Sequence, residues 1–183
     1  KRCIFASHPA DCIVMCIEAD KPGMINLEAR FSRPERAYNG VDRIGSDTVL
    51  MHGDLGKRGY DFAMALRAVS DGGSVRQLGE YLVVENADKV WLYITSDCTY
   101  HCKDELNRLL KENKSDNGVT GECGAVLESN IALGLLKKRI GDILDASADK
   151  GYEELFKEHV RDYRELFGRV DFSLAEDDKD GCS

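Results

Sequence analysis

Near residue 100 the spacing of apolar residues changes from every second position to every third or fourth. Side chains alternate across a strand but recur with a period of 3.6 along a helix, so the two parts of the chain call for different elements. Strands are expected upstream of the change and amphipathic helices downstream.

The upstream pattern is regular. Lys1 opens almost directly into a strand-like stretch, and residues 12–19 (CIVMCIEA) are apolar on both faces, as in a strand covered on both sides. The DKPG segment that follows has turn chemistry. Residues 24–31 (MINLEARF) alternate, with Ile25, Leu27, Ala29 and Phe31 inward. A polar loop (SRPERAYNGVDRIGSD) leads to a short strand, TVLMHG, and then to YDFAMALRAV, where Tyr60, Phe62, Met64 and Leu66 share a face. SDGGS makes a tight turn, and EYLVVENADKVWLYIT reads as two strands joined at NAD. Strands joined by short polar turns predict antiparallel sheets, because hairpins need no crossover helix. Ile25, Leu27, Phe31, Phe62, Leu66, Leu82, Val84, Leu92 and Ile94 are the expected core. The glycine-dense loop GDLGKRG lacks the strand-to-helix setting of a phosphate loop.

Downstream, DELNRLLKEN places Leu106, Leu109 and Leu110 on one helical face, and NKSDNGVTGECG reads as a loop. Leu133, Leu136, Ile140, Ile143 and Leu144 stack at three- and four-residue steps. Leu155, Phe156, Val160, Tyr163, Leu166 and Phe167 form a third stripe, with Gly168 at the C-terminal cap position. The expected fold is mainly β: an antiparallel β-sandwich over residues 1–100, a helical extension over 101–170 packed on one end, and an exit strand and acidic tail over 171–183.

Composition removes several functions. With 25 basic and 33 acidic residues the formal charge is −8, which disfavours nucleic acid and anionic lipid as partners. No apolar run approaches the roughly 20 residues of a membrane helix. Seven cysteines, an odd number without a repeated framework, predict reduced thiols in a cytosol-like compartment. Cys12 and Cys16 share a strand face but lie too far apart for a disulfide. CTYHC, residues 98–102, is the one stretch with metal-site flavour, and a structural zinc site wants a further close pair of ligands. No metal and no cofactor are therefore expected.

Four segments taken in order carry a resemblance. They are FASHPADCIVMCIEADKPGMINLEARFSRP, YDFAMALRAVSDGGSV, EYLVVENADKVWLYITSDCTY and YEELFKEHVRDYRELFGRVDFSL. Together they resemble the N-terminal region of glycoside hydrolases of family 95, mainly α-L-fucosidases; Lys103–Lys150 departs most from that pattern. The resemblance implies a β-sandwich and helical linker that lead into a separate catalytic barrel of paired helices. It also implies further strands ahead of Lys1, and a parent enzyme that releases α-linked L-fucose by inversion. The acid and base of that reaction would lie in the barrel, so no catalytic residue is expected here.

Trp91 and Tyr93, on one face of a strand, are candidates for sugar contact, although core packing is the plainer role of such aromatics. Ser96 and Tyr100, in the segment where sheet hands over to linker, are candidates for facing the barrel. His159, Tyr163 and Phe167 are candidates for packing between domains. The expected partners are the parent's own catalytic barrel and, through it, a glycan. An unpaired sheet edge also predicts self-association of the isolated chain. The alternative reading is a non-catalytic carbohydrate-binding or scaffold module.

Overall fold

A computed structural model of the chain describes residues 1–34, 37–56, 59–117 and 122–170. Nine strands precede three helices among these residues. The strands are β1 (Arg2–Ser7), β2 (Cys12–Glu18), β3 (Ile25–Ala29), β4 (Gly40–Ile44), β5 (Thr48–Asp54), β6 (Asp61–Asp71), β7 (Ser74–Leu78), β8 (Tyr81–Ala87) and β9 (Lys89–Cys98). The helices are α1 (Lys103–Asn117), α2 (Glu122–Lys150) and α3 (Tyr152–Phe167).

Every strand pairing is antiparallel. The larger sheet has the order β1-β2-β9-β6-β5-β4 and the smaller one β3-β8-β7. At the β6–β7 turn both Gly72 and Gly73 have positive φ. A Cβ on Gly73 would lie 2.1 Å from the Glu85 carbonyl oxygen, so this turn admits only glycine there. The two sheets pack face to face over Ile25, Val49, Leu66, Ala68, Leu82, Val84, Val90 and Leu92. This is the mainly β, antiparallel arrangement of two packed sheets that the period-two pattern predicts.

The other face of the large sheet belongs to the helices. The register sets side chains there in rows across the strands. One row runs Phe5, Val14, Tyr93, Arg67 and Thr48; the next carries Thr95, Ala65 and Leu50. Ala63 and Ala65 project so little that α2 lies close over the middle of the sheet. Leu136, Ile140 and Leu144 of α2 are fully buried against it. Arg67 is buried among these apolar groups. Its Nε donates to Thr48 Oγ1 at 2.9 Å and its Nη1 to Asp145 of α2 at 2.6 Å, so the charge has the partners burial demands. The amphipathic α3 covers edge strand β1: Phe5 stacks on His159 and meets Tyr152 and Phe156 edge-on.

The structure corrects several expectations. The helices lie along a face of the large sheet, not at one end, because that face is apolar along much of its length. The polar segment read as a loop after Phe31 contains β4. GVDRI alternates too weakly to register as a strand, since an edge position asks little burial of it. The expected turn segment after SDGG continues into β7. The loop read over residues 113–124 is shorter, with α1 reaching Asn117 and α2 starting at Glu122. Ile25, Leu66, Leu82, Val84 and Leu92 are buried, whereas Leu27, Phe31, Phe62 and Ile94 are half-buried. Gly168 caps α3 in a right-handed conformation, its N–H donating to the Arg164 carbonyl. Cys3, Cys12, Cys16, Cys98 and Cys102 are free thiols. Cys123, Cys182 and the exit strand and tail expected over 171–183 fall outside the described side chains.

Truncating a fully buried α2 residue against a sheet that cannot collapse leaves a cavity. Ile140→Ala and Leu144→Ala should each cost about 2–5 kcal/mol in urea unfolding. Phe167→Ala, at an exposed position of α3, should change the stability of the isolated chain little.

Candidate functional site at the hairpin end of the large sheet

The register brings distant segments to one end of the large sheet. Ser7 pairs with Cys12 at the tip of the β1–β2 hairpin, Ile13 pairs with Ile94, and Phe62 pairs with Cys98. The end of β5 meets the start of β6 at the same level, Asp54 opposite Asp61. The β1–β2 tip, the β5–β6 connection and the β9–α1 turn therefore share one edge of the domain. Helix α3 runs toward it along β1: Tyr152 and His159 contact Phe5, and Asp162 lies 3.5 Å from His8 at the hairpin tip.

Asp97 is the centre of the charge here. Its position in β9 places it on the helix-covered face, where its side chain is only 5 % exposed. Arg139 of α2 donates from Nε to Oδ2 at 2.6 Å. Oδ1 accepts the Cys98 N–H at 2.8 Å and lies 2.9 Å from His101 Nδ1. Burial alone would raise the carboxyl; the hydrogen bonds from Arg139, His101 and the Cys98 N–H outweigh it and hold Asp97 below its ordinary range. The same contact raises Arg139.

Beside this cluster is an open cleft of about 320 Å³, lined by Arg33, Phe62, Met64, Ser96, Asp97 and His101, among others. The Arg33 guanidinium sits 4.3 Å from the centre of the Phe62 ring. Tyr60 and Tyr100 meet edge to face at 5.3 Å at the same end of the sheet, 41 % and 61 % exposed. Thr99 fixes the turn to β6, its N–H donating to the Asp61 carbonyl at 2.9 Å.

Ser96 and Tyr100 are thus both at this end and both exposed. Trp91 and Tyr93 are not. Tyr93 is buried beside Val14 in the core under the helices, and burial pushes its hydroxyl up to about 12. Its ring offers no face to a sugar, because the row that holds it is the one the helices cover. Trp91 lies one row farther from this end, half-buried, with Lys89 over its ring. His159 is half-buried and stacked on Phe5, so its packing is within this chain. Tyr163 and Phe167 remain exposed beyond it, in a stacked pair 5.4 Å apart. Sequence reasoning missed Asp97, Arg139, Arg33 and Tyr60. Asp97 lies between the candidates Ser96 and Tyr100, but nothing local marks Arg139, one of three consecutive basic residues on α2.

Residues 1–103 match the family described as the glycosyl hydrolase family 65 N-terminal domain. Among curated proteins, alpha-L-fucosidase 2 of Arabidopsis thaliana is similar, 27% identical over 195 residues, covering 93% of this chain and 20% of that protein. The chain spans about a fifth of the length of this relative.

The Asp97–Arg139 contact joins the end of β9 to α2, and its energetic weight can be read from pH. Asp97 has a lowered folded-state value. Its contribution is therefore complete above the unfolded-state value near ~3.9 and is lost as pH falls through the folded one. Asp97→Asn should destabilise the chain by about 1.5–3 kcal/mol at neutral pH. Urea unfolding across an acid series should show the difference from the parent sequence shrinking toward the lowest pH.

Proposed function

The chain belongs to the glycosyl hydrolase family 65 N-terminal domain family, and on that premise we propose that it buttresses the catalytic domain of an α-L-fucosidase-like enzyme. Residues 1–100 act as the sandwich and 101–170 as the linker. The parent enzyme removes terminal α-linked L-fucose from glycans with inversion, and its acid and base lie in the other domain.

One observation carries this reading: the exposed aromatic groups gather where α3 overhangs the hairpin end. Tyr163, Leu166 and Phe167 are 55 %, 55 % and 68 % exposed, although they continue the stripe that α3 buries against β1. A stripe that begins in a core and ends in water suits a second apolar surface. Tyr60 and Tyr100 add to the same edge, and Ser96 and Tyr100 are the positions we assign to contact with the catalytic domain or its glycan.

The chemistry at this edge agrees with a supporting role. Inverting hydrolysis needs one carboxylic acid that holds its proton near neutral pH and one carboxylate across the sugar ring. Asp97, the carboxyl beside the cleft, is kept ionised by Arg139 and so is not tuned for the proton-donating role.

Two measurements test the proposal. The isolated chain, incubated with an α-1,2-fucosylated oligosaccharide, should release no fucose; turnover near that of the full enzyme would mean that the active site lies in this chain. In the full enzyme, Tyr163→Ala combined with Phe167→Ala should lower the melting temperature while leaving turnover per folded molecule little changed. An unchanged melting temperature would remove α3 from the interface.

A further inference from the structure

We propose that the β9–α1 turn binds one zinc-class divalent cation through Asp97, Cys98 and His101. One ligand atom from each of these residues lies within 4.8 Å of the other two. Tetrahedral zinc ligands stand somewhat closer than this, so a modest closure of an exposed imidazole completes the set. His101 is that mobile member, its side chain 62 % exposed, whereas Asp97 is fixed.

The backbone already holds the arrangement. Cys98 ends β9, and the His101 N–H donates to the Cys98 carbonyl at 3.1 Å, folding the two side chains into a Cys-x-x-His turn. This is the close ligand spacing zinc sites use. Arg139 takes Oδ2 of Asp97, as a partner behind a metal-bound carboxylate does, while Oδ1 faces the cluster, accepting the Cys98 N–H and lying 2.9 Å from His101 Nδ1. Cys102, which the sequence spacing offers as a ligand, is 4 % exposed in the core under the helices and stands outside the set.

The donors select the metal. One thiolate, one imidazole and one carboxylate oxygen suit zinc or cobalt better than the hard ions calcium and magnesium. Carboxylate and thiolate together offset the two positive charges of the ion, with the Arg139 guanidinium left as the one net positive charge. On binding, the Cys98 thiol gives its proton to solvent. The Nδ1 proton that His101 shares with Asp97 moves to Nε2 by exchange with water, which frees Nδ1 for the metal. At a pH where His101 is neutral, binding therefore releases one proton per ion. The fourth position is left to water, on the side of the neighbouring cleft. This assignment is independent of the glycoside hydrolase reading.

The experiment uses the whole chain stripped with a chelator. Titration with zinc should show one strong site, and cobalt as a probe should give a thiolate-to-metal charge-transfer band. Cys98→Ser and His101→Ala should each weaken zinc binding by roughly tenfold or more and abolish or shift that band. Cys3→Ser, at a free thiol outside the cluster, should do neither. Metal-free melting curves establish that each variant is folded. A second readout needs no variant: zinc should protect Cys98, but not Cys3, from alkylation, as mapped by mass spectrometry. Unweakened binding in the Cys98 and His101 variants, absence of the cobalt band, or unprotected Cys98 would each overturn the assignment.

Discussion

The fold depends on how the outer face of the large sheet is covered. A six-stranded sheet whose partner has three strands has apolar surface to hide on its other side as well, and α2 is the element that hides most of it. Close approach requires small residues at the centre of the contact, which Ala63 and Ala65 supply, and large ones on the helix, which Leu136, Ile140 and Leu144 supply. Without α2 the row from Phe5 to Thr48 would face water with a buried-type arginine in its midst. The β portion and the helical portion are therefore one cooperative core, although the family match covers little beyond the strands.

Charge then fixes where α2 sits along that face. Hydrophobic contact tolerates sliding, but ion pairs with short reach do not. Lys137 meets Asp42 on the edge strand β4, Arg139 meets Asp97 at the end of β9, and Asp145 meets Arg67 in the middle of β6. The three contacts fall on β4, β9 and β6, and β9 and β6 are neighbours, so a shift of the helix would break several at once. The same pairing that anchors α2 also keeps Asp97 ionised and oriented beside the cleft. Stability and site geometry thus rest on shared residues.

Concentration of exposed aromatics at one edge follows from topology. Antiparallel pairing sends the β1–β2 tip, the β5–β6 connection and the β9–α1 turn to the same end, and α3 travels along β1 toward it. Side chains on three separate connections and one helix thereby become neighbours. Tyr60 and Tyr100, separated by four strands in sequence, meet in this way.

Sequence by itself determined the class of each element and most of the core. A period of two or of 3.6 is written in neighbouring residues, so the long strands, the helices and the burial of Leu82, Val84 and Ile140 were legible locally. Weakly patterned edge strands such as β4 were not, because exposure removes the pattern that would reveal them. Tertiary structure alone decided which face of β9 each aromatic serves. Trp91 and Tyr93 share one face of β9, and only the placement of the helices over that face turns Tyr93 from a surface candidate into core. It alone joined Arg139 to Asp97, 42 positions apart. The energy of an ion pair depends on separation in space, and no local pattern of residue types encodes that distance.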